Sequence, residues 1–394
     1  MKKKFILFLS MIIVLAAIPI NIYASISEID EDAVKNTIEA YFDLQNEIVI
    51  HEKDVELLAD FFTDPESNKF YNFQSKRLEY SIQKPKILEY SIADILTKFD
   101  YKSIDINDDS IIVDVVVDKF VKLNFDEKYD PMRSEHRITL KNIDNKSYIE
   151  KDEYTDEFME LYGMDCDFDQ LIQDLKDGYA KILRDNIKYA NDPRIQESEL
   201  EPSSSPGDYY VSYNRSNAVY YARLYSDNNG HSTSNYNNAQ FSSYGTNDCQ
   251  NFVSQCIWYG FGGRNSANKD LPMTAEWWAN KTGTNTNWYW VNTAHFYNYI
   301  TGNYASDNYG VRGITTSIAS LQPGDYVYDT SNGGHVMFVS KVGDTNGDGQ
   351  NDLGGIEICA HTYNHKDYRL IDTDTNLSNC IFVKVFNFKW NNEF

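Results

Sequence analysis

The chain has 394 residues, 59 acidic against 36 basic side chains, a net charge of −23, and five cysteines. That balance argues against nucleic acid as a partner, because phosphate binding needs clustered Lys and Arg, and against simple electrostatic attachment to an anionic surface. The length admits two domains. Five cysteines are too few for a disulfide scaffold, and an odd count leaves at least one free thiol.

Residues 1–24 carry Lys2, Lys3 and Lys4, an apolar run from Phe5 to Ile20, and small residues around a cut after Ala24. This is the pattern of a secretory signal peptide. The run is shorter than the roughly 20 apolar residues of a spanning helix. The expectation is a secreted protein, extracellular or cell-wall associated, with no membrane span after signal cleavage.

Residues 25–165 read as one α+β module. Ile38, Tyr41, Phe42 and Leu44 give the opening stretch a helical face, and a second helical segment follows at 55–62. Strands are expected at 87–95, 110–121, 136–143 and 147–154. The stretch "SIIVDVVVDKFVKLNF" (110–125) is rich in β-branched residues. Turn residues at 107–109 and 144–145 predict hairpins, and so a curved antiparallel sheet wrapped on helices. Residues 166–208 read as a charged helix followed by a linker, "ESELEPSSSPGD".

Residues 209–394 form the second domain. Most of the acidic excess lies before them: residues 205–394 hold 16 acidic and 11 basic side chains. Helices are predicted at 213–225, after Cys249, and at 293–301. Strands are predicted at 325–328, 335–341, 356–361, 368–371 and 381–388. Helices first and a sheet second is an α+β order.

The segment "GTNDCQNFVSQ" (245–255) places Cys249 in the first turn of an apolar helix, with Asn247 or Asp248 as N-cap. The positive end of the helix dipole favours a thiolate there. Cys256, seven residues on, reads as a buried core residue. A Gly-Gly turn puts His335 at the mouth of the strand "HVMFVSKV", and His361 ends the next strand. Cysteine, histidine and a polar residue make a nucleophile, base and orienting group. Asn364 and Asp367 compete with His361 for the third place.

Five segments in register, "YNRSNAVYYARLYS", "DCQNFVSQCIWYG", "LQPGDYVYD", "GGHVMFVSKVG" and "AHTYNHKDYRL", resemble the amidase domain found in secreted proteins of Gram-positive bacteria. That family is related to the NlpC-type and CHAP-type papain-like cell-wall cysteine peptidases. The resemblance covers residues 209–375. It implies Cys249 as nucleophile, His335 as base, His361 as third member and Asp248 as a positioning residue. It further implies a papain-like fold, no required cofactor, and peptidoglycan peptide or amide bonds as substrate. Asn251, Asn364 and Trp277 are the further side chains expected to position substrate. The aromatic stretch 277–297 either lines a cleft or fills the core.

The loop "DTNGDGQND" (344–352) spaces Asp344, Asn346, Asp348 and Asp352 as calcium ligands, but position twelve of such a loop is Gly355, where a bidentate Glu is needed. A plain hairpin loop is the simpler reading and a structural calcium site the other. His361 and His365 have a spacing that two zinc ligands can use, with no third unless His335 joins them. The non-enzyme alternative is an extracellular glycan- or protein-binding module with a calcium-stabilised loop. Oligomeric state is not encoded in any pattern of the sequence.

Overall fold

The computed structural model describes residues 30–107, 110–143, 146–190, 192–197, 208–264, 273–279, 287–331 and 334–391. The predicted signal peptide, most of the predicted linker and the tips of both predicted hairpins lie outside them. Among the described residues no helix is long and apolar enough to cross a membrane.

The first module opens with α1 (Glu31–His51), capped by Asp30, whose side chain accepts the Asp32 N–H. After a 3-10 turn at Val55–Phe61 comes α2 (Lys69–Ile87). A four-stranded antiparallel meander follows: β1 (Ile92–Ile106), β2 (Ile111–Leu123), β3 (Tyr129–Ile143) and β4 (Lys146–Thr155). Val34, Ile38, Tyr41 and Phe42 of α1 share a core with Ile111, Val113, Val115 and Val117 of β2. The period-2 alternation of β2 supplies that face.

The strand expected at 87–95 is instead the end of α2 and the start of a longer β1. Glu89, in the left-handed region at φ 62°, separates the two. Helix α2 itself has no counterpart among the predicted elements. Its Phe70 and Leu78 enter one core while Phe73 and Tyr80 enter another, so no single apolar stripe marks it.

Two helices, α3 (Glu157–Tyr162) and α4 (Phe168–Tyr189), lead to the short α5 (Pro193–Glu197). The second part contains β5 (Asp208–Ser212), α6 (Arg215–Leu224), α7 (Cys249–Gly260), α8 (Trp288–Val291) and α9 (Thr293–Ala305). Then come β6 (Gly310–Thr316), β7 (Tyr326–Asp329), β8 (His335–Lys341), β9 (Glu357–Ala360), β10 (His365–Arg369) and β11 (Cys380–Asn391). The sheet order is β10-β9-β8-β7-β11-β5, with β6 also on β11, and every pairing is antiparallel. The fold is therefore α+β with two antiparallel sheets.

Alternation along β8 divides the second sheet's faces. Val336 and Phe338 join the core made with α6, α7 and α9, while Met337 and Val339 join the core made with α4 and the first module. Phe168, Leu175 and Ile182 of α4, spaced every seven residues, fill that second face. Gly178 allows the approach: a Cβ there would stand 2.5 Å from the Ser378 backbone nitrogen. Arg369 ties the two parts together. Its buried guanidinium meets Asp130 at 2.5 Å and Asp372 at 2.7 Å, and donates to the Val121 carbonyl at 2.8 Å. Such a buried cation is tolerable only because carboxylates and a carbonyl answer it.

Candidate active site

Cys249 is the first residue of α7, and a 3-10 turn at Gly245–Asn247 delivers the chain to it. Phe252, Val253, Cys256 and Ile257 bury the helix, so the sulfur is fixed at its N-terminal end. Cys249 itself is 8% exposed. His335 opens β8, opposite Asp329 of β7 in the antiparallel register.

These two side chains meet. Burial disfavours the Cys249 thiolate, but the hydrogen bond and charge of His335, with the Val336 and Gln250 N–H groups, hold the thiol below its usual range. Burial likewise disfavours the His335 imidazolium, and Cys249, Glu157 and Asp329 together hold its pKa above the usual value. Both shifts favour a thiolate beside an imidazolium. Burial pushes Cys166, Cys256, Cys359 and Cys380 the other way. All five cysteines are free, and the one thiol lowered is the one beside a histidine.

His361 occupies a different place from the one expected. Its Nδ1 pairs with Asp248 Oδ2 at 2.7 Å, and its Nε2 donates to the Tyr225 carbonyl at 2.6 Å. Both ring nitrogens are thus committed away from His335. The ring is sandwiched between Tyr236, at 3.6 Å and 3°, and Phe252, at 3.9 Å and 20°. The following residue, Thr362, has φ 92°, a region that strains a β-branched residue.

Asp248 stands at the N-cap position but makes no side-chain cap bond to the helix. Its Oδ1 accepts from the Tyr244 N–H at 2.8 Å and from Asn251 Nδ2 at 2.9 Å. The expected capping role therefore gives way to a network that anchors the turn before Cys249 to His361.

The side chains expected to position substrate are interior. Asn251 also donates to the Ser242 carbonyl and accepts from Trp290 Nε1 at 2.9 Å. Asn364 accepts from Tyr236 at 3.0 Å and donates to Asp227 and the Ser232 carbonyl. Trp277 packs at a tilt against Trp290, ring centres 4.6 Å apart, and is fully buried. The polar atoms of these groups are spent inside. Of the aromatic stretch, Trp277, Trp290 and Phe296 are core, while Trp288 is 67% exposed.

Two carboxylates that no sequence motif marks act on His335. Asp329, almost fully buried, accepts from the Ser331 N–H at 2.8 Å and from its hydroxyl at 2.6 Å. Glu157 comes from α3 of the first module, more than 170 positions away in sequence, and also meets His365 at 3.4 Å. Only tertiary contact could reveal it.

The carboxylates of the 344–352 loop accept hydrogen bonds from within the loop. Asp344 accepts the N–H groups of Gly347, Asp348 and Gly349, which lower its pKa. Asp352 accepts from Thr345, Asn346 and Gly355. Asn346 Nδ2 meets Asp348 Oδ2 at 3.4 Å. Among the described residues no group of three or more His, Cys, Asp or Glu side chains is gathered to hold a metal. That holds for His361 and His365 too, whose ring nitrogens face Asp248 and Glu157.

Residues 212–383 match the family model described as "Putative amidase domain". No curated protein and no solved structure matches the chain. The matched stretch contains Cys249, His335, His361 and Asp248, and excludes Glu157.

Proposed function

We propose that the second part of the chain is a cysteine-dependent amide hydrolase with Cys249 as nucleophile and His335 as its proton partner. The carrying observation is that His335 lies close enough to the Cys249 thiol at the start of α7 to lower it, in a chain whose other thiols are all shifted toward the inert form. The amidase family match over residues 212–383 supports amide hydrolysis.

The reaction follows from the pair. The Cys249 sulfur attacks an amide carbonyl carbon, and the C=O electrons move to oxygen. Backbone N–H groups at the helix start stabilise that oxyanion, the positive end of the helix dipole assisting. The carbonyl reforms as the C–N bond breaks, and His335 gives its proton to the departing amine. His335, now neutral, accepts a proton from water as that water attacks the thioester. The acid is released and Cys249 regains the negative charge.

In this reading the third functional group is a carboxylate, Asp329 or Glu157, whose charge favours the protonated His335. His361 and Asp248 serve as positioning residues, fixing the turn that carries Cys249. The signal-like first 24 residues support export, and the resemblance of residues 209–375 to cell-wall amidases supports peptidoglycan stems as the substrate. Digestion of purified muropeptides by the full chain, read by mass spectrometry, tests this. New amine and carboxylate ends must appear with the parent and vanish with Cys249→Ala. Unchanged muropeptides under conditions where the thiol is reactive count against the wall substrate.

A further inference from the structure

Away from Cys249, a cavity of about 530 Å³ lies between the first module and the loop that leads into β10. Phe42, Gln45 and Asn46 face it from α1, at the i, i+3, i+4 spacing of one helix face, and Lys119 reaches it from β2. Gln45 and Asn46 are 4% and 6% exposed, yet Gln45 Nε2 and Asn46 Oδ1 have no partner. The other half of each amide is used: Gln45 Oε1 accepts from Gln74 at 3.0 Å and Asn46 Nδ2 donates to Thr97 at 2.8 Å. Each amide is thereby held in place with one free atom, a donor and an acceptor respectively.

The Lys119 ammonium lies 5.4 Å from the centre of the Phe42 ring. Among the described residues no carboxylate pairs with it. Of the acids around it, Asp152 is engaged with His136 at 2.9 Å and Asp156 with Arg77 at 2.6 Å, while the exposed Asp43 acts on it through space. Burial, with the Arg77 charge, pulls the Lys119 pKa down to about 8 against the through-space charges of Asp156, Asp152 and Asp43. The volume is that of a small-ligand site, well beyond a single ion.

We propose that this cavity binds the carboxylate end of a short peptide. The carboxylate faces Lys119, a peptide carbonyl accepts from Gln45 Nε2, and a peptide N–H donates to Asn46 Oδ1. A donor, an acceptor and a cation lining one cavity are the complement of an amide followed by a carboxylate. Neither Cys249 nor His335 lines this cavity, although Glu157 does, and the proposal does not require that pair to be catalytic.

Calorimetric titration of full-length Cys249→Ala protein with N-acetyl-alanyl-alanine, in its L,L and D,D forms, tests this without turnover. Saturable binding of one form is expected, with its C-terminal carboxamide about tenfold weaker or worse, as loss of a charge-assisted hydrogen bond dictates. Lys119→Met and Asn46→Leu should each weaken the acid by a similar factor, with circular dichroism unchanged. Equal binding of acid and carboxamide overturns the proposal on the parent protein alone. So does absence of binding at millimolar peptide, full affinity in both variants, or acetate competing as well as the peptide. Hydrolysis of muropeptides by the parent is read separately, so failure of the hydrolase reading and failure of this one are distinguishable.

Discussion

His361 Nδ1 and Asp248 Oδ2 stand 2.7 Å apart with both side chains 1% exposed, and this pair joins the end of β9 to the residue before Cys249. Removing one partner of a buried pair leaves the other unanswered, at a cost of about 3–5 kcal/mol. Asp248→Asn and His361→Phe are therefore expected to lower unfolding free energy by that order in urea titration, and to slow alkylation of Cys249. A loss under about 1 kcal/mol in both would show the pair to be idle.

Thiol chemistry should single out Cys249. Iodoacetamide at neutral pH is expected to modify Cys249 ahead of the four thiols that burial raises. In His335→Ala the hydrogen bond and the positive charge are gone, so the midpoint of the alkylation rate against pH must move upward. Peptide mapping of the modified protein would expose the failure, through uniform labelling or an unmoved midpoint.

Glu157 should be visible in the pH–rate profile. Its charge holds the His335 proton on, so Glu157→Gln lowers the pKa of His335. Loss of the imidazolium then begins at lower pH, and the alkaline limb of activity shifts toward acid. The acid limb, set by thiolate formation, should move less. A purely structural role for Glu157 would lower activity at every pH by one factor and leave both limbs in place.

Asp374 gives a stability test whose sign can be worked out. Burial raises its carboxyl to about 7 against the pull of Lys84. An unfolded aspartate titrates near 4. Between those values the folded chain keeps a proton that the unfolded chain has released, so this group makes stability fall as pH rises through the window. Asp374→Asn removes that contribution. Denaturant titrations at about pH 4.5 and pH 7.5, spanning most of that window, should show a smaller decline in the variant than in the parent, and equal declines would reject the assignment.

Local pattern carried much of the fold. The stretch 110–125 reads as a strand from its β-branched residues, and β2 spans Ile111–Leu123. The predicted strand 335–341 and the helix beginning at Cys249 are found at those positions, because period and turn residues are local properties. Helix α2 was illegible because its apolar residues divide between two cores, which blurs the 3.6-residue period.

The candidate site was legible in part for the same reason. Cys249 at a helix start and His335 at a strand mouth are each announced by their neighbours in sequence. The direction of the His361 ring was not, since a strand-end histidine carries no sign of which acceptors surround it. Asn251, Asn364 and Trp277 read as contact residues until their burial is known, for an amide or an indole has the same sequence signature inside and outside.

What the residues alone determined was the chemistry available: a reactive type of side chain at each of two element termini, in an acidic α+β chain. What only the tertiary structure decided was which charges surround that pair. Asp329 meets His335 through strand register, and Glu157 arrives from another module by packing of α3. Electrostatic shifts depend on through-space distance and burial, and neither is a function of separation along the chain.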